Sequence, residues 1–562
     1  MHRHGAARRP GHRTAPRGTA PLLAGPLLAG LLLTGLPLAG CTTAAGTAPV
    51  AAPSPSGSPS APSVPAAEPP AQPAPQLTEQ QVNSAVARID DYVQTAMATT
   101  GVPGVALAVV YRDRVVHAKG FGVRQLGLPD PVDPDTVFQL ASLSKPIAST
   151  VVAGAVGRKA VKWDDPVSAH DPGFALADPW VSGHLTIADL FSHRSGLPDH
   201  AGDLLGDLGY QRDYILQHLR DQPLAPFRAS YAYTNYGLTE AAVAVAAATG
   251  TAWEDLAADV LYKPLGMAAT SSLRAAYDGA ANKAVPHVRT DAGWQVSATE
   301  NPDPQSPAGG VSSSVQDLAR WMRLQLADGV FEGRQVVDAA ALNDTRVPRI
   351  VAGLPKAPAG SATFYGLGWN VNQDARGRLR LNHSGAFDLG AATVVTLLPS
   401  EQLGIVVLTN GQPIGVPEAV AEEFFDLAQE GRETVDWLGF MGKVVPAAAQ
   451  AGVSPTDYGR PPVDAAPAQP DAAYIGTYGN GYYGPLTVNA REGGLVMSLG
   501  PDDLEFPLQH YDGDVFSFRT RGENAVGLSG VTFSVGADGR ASTLVVEQFD
   551  HEGLGTFIPI LT

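Results

Sequence analysis

The chain has 562 residues, 44% of them hydrophobic and 17% charged, with a formal net charge of −17. That is too long for one ordinary domain and apolar enough for more than one core. A chain this acidic is poorly suited to nucleic acid or to a bare anionic membrane surface, so no nucleic-acid partner is expected.

The amino terminus reads as targeting rather than fold. Residues 1–40 carry Arg3, Arg8, Arg9, Arg13 and Arg17 and no acidic residue, and "PLLAGPLLAGLLLTGLPLAG" (21–40) is apolar but broken by Pro26 and Pro37. A basic stretch, an apolar stretch and small residues before a cut site describe a secretory signal. The prolines and glycines weaken the reading as a permanent membrane span. Cys41 follows and is the only cysteine, so no internal disulfide is possible. "LAGC" resembles the lipobox of bacterial lipoproteins. That resemblance implies diacylation of Cys41 and anchoring on the outer face of the cell membrane, for which two acyl chains suffice. Thr42 to Gln76 is built of Ala, Pro, Ser and Thr, cannot form a core, and reads as a tether reaching about 100 Å at ~3.1 Å per residue.

Order is expected from Thr78. Val82, Val86, Ile89, Val93 and Met97 recur at helical spacing behind a Thr cap. "VALAVVYRDRVVHAKGFG" predicts a hairpin, 105–111 and 114–121, turning at Arg112-Asp113. Helical and irregular segments fill the middle to about Leu326. Strands return at 378–383, 392–398 and 403–409, followed by a helix over 417–429. Strands at both ends of a helical insertion predict one α+β domain whose antiparallel sheet draws on both ends of the segment. The chain then becomes irregular, and 444–470 reads as linker by composition. Beyond Ala472, short strands recur at 484–488, 495–499, 506–510, 515–519, 531–535 and 543–548, with turns at Asp512-Gly513 and Asp538-Gly539. These predict a small antiparallel barrel or sandwich. Tyr474, Tyr478, Tyr482 and Tyr483 are expected to pack its core or dock it on the first domain rather than line a ligand groove. With no nucleophile–base pair in this module, its removal is expected to spare simple ester hydrolysis.

The chemistry centres on "FQLASLSKP" (138–146). Ser142 and Lys145 stand three apart, on one face of a helix, so the amine can reach the hydroxyl. A serine hydroxyl is a weak nucleophile until a base takes its proton, and lysine serves only if burial lowers its pKa. Leu140, Ala141, Leu143 and Ile147 supply apolar flanks. Ser-x-x-Lys also arises by chance on solvated helices, so the later segments decide. "ASYAYTNYGL" (229–238) and "LNHSGAF" (381–387) follow in order. The set resembles the serine β-lactamase and penicillin-binding-protein superfamily, in its class C β-lactamase-like branch. "LTIADLFSHRSGLPD", "PAGGVSSSVQDLARWM" and "YGLGW" add to the likeness, which runs from about Val82 to Gln429.

The resemblance implies a set of roles. Ser142 would attack the acyl carbon and Lys145 would share its proton. Tyr233, heading the Tyr-x-Asn motif "YTN", would be general base or proton shuttle, with Asn235 binding substrate or Lys145. Tyr231 is expected to be a packed aromatic, and His193 and His200 are expected to be structural. His383-Ser384-Gly385 replaces the usual Lys-Thr-Gly, with Gly385 allowing close approach of backbone to substrate. The amides of Ser142 and Ala386 would form the oxyanion hole. No Gly-x-Ser-x-Gly, His-Glu-x-x-His or phosphate loop is present, and no metal or cofactor is implied.

The expected organisation is therefore a signal peptide (1–40), a lipidated Cys41 and tether (41–77), a β-lactamase-like catalytic domain (78–430), a linker (431–470) and a small antiparallel β domain (471–562). The expected function is a membrane-anchored extracytoplasmic serine hydrolase acting on an ester, amide or peptide, with peptidoglycan-derived peptides among the candidates. It would be an esterase, D-aminopeptidase or D-Ala-D-Ala carboxypeptidase with weak β-lactamase activity. The alternative is a slowly acylated penicillin-recognising sensor or scaffold.

Overall fold

The computed structural model describes residues 75–355, 361–449 and 452–560. The signal, Cys41 and the tether as far as residue 74 lie outside them. Among the described residues no helix is long and apolar enough to cross a membrane.

Helix α1 (Glu79–Thr100) begins at Thr78, whose side chain caps the Gln81 amide in a capping box. Val82, Ile89 and Val93 are fully buried along its apolar stripe. The chain then forms the expected hairpin, β1 (Gly104–Tyr111) and β2 (Arg114–Gly122), with Arg112 and Asp113 both at positive φ in its two-residue turn. After the insertion come β3 (Ile350–Gly353), β4 (Thr363–Tyr365), β5 (Asn370–Gln373), β6 (Leu379–Phe387), β7 (Ala391–Leu398) and β8 (Leu403–Thr409). The eight strands form one antiparallel sheet in the order β2-β1-β8-β7-β6-β5-β4-β3. The last element of the domain thus pairs with the first, as the sequence predicts.

Both faces of this sheet are covered. Val105, Leu107, Val109, Ile405 and Val407 face α1 and the helix Val416–Glu430. Ala106, Ala108, Val395, Val406 and Leu408 face the helical insertion. A strand buried on both faces reads as an unbroken apolar run, as "GVALAVVY" does.

Helix α2 (Ser144–Gly157) enters the heart of the insertion, with twelve of its fourteen residues buried. A strand end and a helix differ from expectation here. The strand expected to end at His383 continues to Phe387, because its ladder with β7 runs on from His383 opposite Val395 to Phe387 opposite Ala391; Gly385 there sits against Leu140 and Leu143, where a Cβ would lie 2.1 Å from the Leu140 carbonyl oxygen. A helix, Trp437–Ala449, occupies the irregular stretch after Glu430. Its Trp437 and Met441 pack on Ala419, and the Trp437 indole donates to Asp426 at 2.8 Å. Gly439 and Gly442 obscure that helix in the sequence.

Nine strands follow: β9 (Gly476–Gly479), β10 (Leu486–Arg491), β11 (Gly494–Leu499), β12 (Leu504–Pro507), β13 (Gln509–Asp512), β14 (Val515–Arg519), β15 (Leu528–Val535), β16 (Ala541–Val546) and β17 (Thr556–Pro559). Their order is β12-β11-β10-β9-β17-β16-β15-β14-β13. The two outermost strands are separated in sequence by Leu508 alone, so the sheet curls into a nearly closed barrel. The strand expected over 506–510 is split there. Tyr474 and Tyr478 pack inside against Phe533. The Tyr483 ring stacks on Phe549 at 4.6 Å inside the barrel, while the backbone of 482–483 meets the first domain, where the Tyr210 and Tyr214 hydroxyls donate to the Tyr483 and Tyr482 carbonyls at 2.8 and 3.1 Å. The barrel interior and the helical insertion form one continuous apolar core.

Candidate active site

Ser142 lies in the turn Ala141–Leu143 that leads into α2, and Ala141 at its start holds a positive φ of 48°. The turn is fixed from both sides. The Thr393 hydroxyl donates to the Leu140 carbonyl at 2.8 Å, and the Leu140 amide donates to the Val311 carbonyl at 2.9 Å. Ser144, the neighbouring serine, is fully buried and accepts the Val311 amide at 3.0 Å, so it is turned away from Ser142's surroundings.

Lys145 has no exposed surface. Its amine lies 3.1 Å from Ser142 Oγ, 2.6 Å from Asn235 Oδ1 and 3.1 Å from the Ala308 carbonyl. Burial lowers its pKa from the ordinary lysine range to about 7, against the opposing charge of Asp203. The Tyr233 hydroxyl donates to the same Ser142 Oγ at 2.8 Å. Burial raises the Tyr233 pKa, so the group is a neutral phenol and a proton donor in the resting site. Its ring also covers the Lys145 amine, 4.4 Å from ring centre to nitrogen.

Two segments hold Tyr233 and Asn235 in place. Asp189, fully buried, accepts from Arg194 at 2.7 Å and from two nitrogens of Arg228 at 2.9 and 2.7 Å. This lays 193–200 beside 225–233, where the Ala232 amide meets the His193 carbonyl at 2.9 Å. Asp199 accepts the Tyr233 amide at 2.6 Å. Asp203 accepts Asn235 Nδ2 at 2.8 Å and pairs with His200 Nδ1 at 2.8 Å. Burial opposes protonation of His200, but the hydrogen bond and charge of Asp203 outweigh it and the net shift is upward. His193 accepts the Thr234 amide at 3.2 Å and lies against the rings of Tyr233 and Tyr365, at 4.6 and 4.8 Å between centres. Burial drives its pKa well down, so it is neutral. Tyr231 packs against His193 and Tyr365.

The third motif divides between the two faces of β6. His383 is buried, its Nδ1–H donating to the Ser384 carbonyl at 2.7 Å and its Nε2 paired with the Tyr365 hydroxyl at 2.9 Å. Burial, then the charge of Lys145, lower its pKa to about 3. Ser384 alternates to the opposite face, where it bonds Glu418, so its side chain is not part of the cleft. On the side where a Cβ would point, Gly385 admits the chain's own backbone at Leu140 and Leu143. That contact sets Ala386 beside the Ser142 turn. Strand β5 pairs with β6 only as far as Asn382, so 383–387 have a free edge on that side among the described residues.

Ser142, Lys145, Tyr233 and Asn235 are thus brought together, while His383 stands behind them. Sequence reasoning passed over Asp199, Asp203 and the Ala308 carbonyl. The first two sit in "GLPDHAGD", where three carboxylate or imidazole groups within five residues were the available signal; a backbone carbonyl leaves none. Among the described residues no cluster of His, Cys, Asp and Glu could hold a metal ion.

An antiparallel sheet, a buried Ser-x-x-Lys pair and a converging tyrosine are the features of a class of serine hydrolases. Residues 89–429 match the family model described as Beta-lactamase, and the chain belongs to that family of serine hydrolases. Residues 460–555 match a model described as a domain of unknown function, DUF3471. Penicillin-binding protein 4 of Amycolatopsis lactamdurans is 32% identical over 339 residues, 58% of this chain and 84% of that protein. A protein of Aspergillus campestris named unguisins hydrolase ungD' is 27% identical over 477 residues, 78% of this chain and 85% of that one. The solved octameric penicillin-binding protein homologue from Pyrococcus abyssi shares the fold with a TM-score of 0.54 at 18% identity, over 82% of this chain and 98% of that one.

Proposed function

We propose that the protein is a lipid-anchored, extracytoplasmic serine hydrolase that acts through an acyl-enzyme on neutral esters, or on amides and peptides lacking a terminal carboxylate. The observation that carries this reading is the convergence of the Lys145 amine and the Tyr233 hydroxyl on Ser142 Oγ, at 3.1 and 2.8 Å. Neutral Lys145 takes the Ser142 proton as Oγ bonds to the acyl carbon. The carbonyl oxygen becomes an oxyanion facing the Ser142 and Ala386 amides. Tyr233 passes its proton to the departing alkoxide or amine and recovers one from the Lys145 ammonium. Water then attacks the ester on Ser142 by the same steps in reverse, releasing the acid and restoring Ser142 Oγ–H.

Substrate choice follows from His383. Relatives with lysine at this position have a cation beside the substrate carboxylate, whereas His383 is neutral at any working pH and bonded to Tyr365. Carboxylates such as those of β-lactams and D-Ala-D-Ala ends are therefore weakly held. The soluble form, 78–562, should hydrolyse short nitrophenyl esters with a burst phase and D-aminoacyl amides more readily than a chromogenic cephalosporin at pH 7.5. Faster cephalosporin turnover would overturn the substrate assignment.

The anchor rests on the arginine-bearing leader and on Cys41. Cys41→Ser should move the full-length protein from the membrane fraction to the detergent-free extract. Retention in the membrane would refute lipidation at that residue.

A further inference from the structure

One loop of the barrel reaches the walls of the cleft. It connects β14 to β15 and is braced internally, with Thr520 Oγ1 accepting the Val526 amide at 2.9 Å and Gln548 Nε2 donating to the Asn524 carbonyl at 2.9 Å. Its tip is held on two sides. The Glu523 and Asn524 amides donate to the two oxygens of Asp207, each at 3.0 Å. The Glu523 carboxylate accepts the Asp388 and Leu389 amides at 2.6 and 3.3 Å. Asp207 ends the short helix Asp203–Asp207, whose first residue holds Asn235. Asp388 stands two residues beyond Ala386, at the end of the free edge of β6.

The loop is shaped for this contact. Gly522 has φ +95°, and a Cβ there would lie 2.6 Å from the Asp207 carboxyl carbon. The contact also works against electrostatics. Burial and the nearby Glu300 push the Asp207 carboxyl up to about 8, and burial with Asp388 pushes Glu523 up as well. The amide donors, not ion pairs, therefore hold it.

We propose that Gly522, Glu523 and Asn524 form a specificity-determining strap that ties Asp207 to Asp388, closes one end of the cleft and restricts the enzyme to small substrates and chain ends. A peptide laid along the free edge of β6 would add as a strand, as extended peptides do at exposed sheet edges. With the acyl carbon at the Ala386 amide, Ala386 and Phe387 leave about 7 Å of edge before the strap at ~3.3 Å per residue, room for two or three residues. A longer chain must displace Glu523.

This rests on the acyl-enzyme reading of Ser142, and the test separates the two. The substrates are nitrophenyl esters of N-acetylated alanine oligomers of one to five residues. In the wild type, kcat/KM should fall beyond about three residues, through KM rather than kcat. Glu523→Ala should raise the long-to-short ratio of kcat/KM by about tenfold, and Asp207→Asn, which keeps the side chain's shape, should raise it by less. Melting temperature and near-ultraviolet circular dichroism verify folding, and Asp207→Asn decides if Glu523→Ala does not fold. Fluorophosphonate labelling is read in the same samples. A labelled enzyme whose ratio stays within about twofold in the folded variants, or a wild type indifferent to length, overturns the strap alone. An unlabelled wild type overturns both readings.

Discussion

The two sheets bury very different things. The domain built on the open eight-stranded sheet buries a lysine, three histidines and several carboxylates with almost no exposed surface, among them Lys145, His193, His383 and Asp189. The barrel closes around Tyr474, Phe516, Phe533 and Phe557. Buried polar groups are costly unless they are bonded, and in the first domain the principal partners can be named: Asn235 and Ala308 for Lys145, Tyr365 for His383, Arg194 and Arg228 for Asp189. Reactivity is stored where such burial shifts a pKa toward working pH, as for Lys145. In the barrel the buried carboxyl of Glu523 is shifted upward as well, but it lies at the contact with the first domain, away from Ser142.

The sharpest way to break this contrast is to remove the proposed nucleophile. Ser142→Ala should abolish fluorophosphonate labelling and turnover, while Ser144→Ala, which loses one buried hydrogen bond to Val311, should keep labelling and cost about 1 kcal/mol of stability by denaturant titration. Next in size are the proposed proton-transfer groups. Lys145→Ala and Tyr233→Phe should each lower kcat on the order of 10²–10⁴, whereas Tyr231→Phe, which makes no contact with Ser142, should lower it little. Equal losses at the two tyrosines would remove the distinction drawn between them.

A smaller effect concerns pH. Lys145 must be neutral to take the Ser142 proton, so kcat/KM should rise as pH passes through about 7. Asp203 favours the ammonium, so Asp203→Asn should move that limb to lower pH; an upward shift would contradict the assigned charge. The same group gives a stability slope. Its folded pKa lies below its unfolded value, the unfolded chain binds the extra proton between them, and its contribution to stability grows as pH rises above about 7. The smallest expected effect lies in the barrel. Tyr474→Phe removes a hydrogen bond to Asp514 and one from the Gln469 amide, costing roughly 1–2 kcal/mol in chemical denaturation with no change in esterase kcat.

The sequence carried much of this contrast, unevenly. The capped α1, the hairpin and the returning strands were legible because their periodicities are local, and Ser142, Lys145, Tyr233 and Asn235 were legible because they keep fixed spacings. The helix after Glu430 was hidden by two glycines whose cost is outweighed by packing on Ala419. The side to which Ser384 points and the backbone that Gly385 admits depend on strand register, which no single segment displays. The link between barrel and cleft was invisible, since Asp207, Asp388 and Glu523 are far apart in the chain. It also changes one expectation: the insertion and barrel share a core, so removing the barrel would expose residues such as Leu208 and Tyr210 and should destabilise the helical wall that holds Asn235.

The account depends most on a covalent acyl group at Ser142. Residues 78–562 mixed with a nitrophenyl ester, quenched in acid within the burst and digested for mass spectrometry should yield the acyl mass on the peptide containing Ser142, and none in Ser142→Ala. An acyl group on another residue, or a burst that persists in Ser142→Ala, would contradict it.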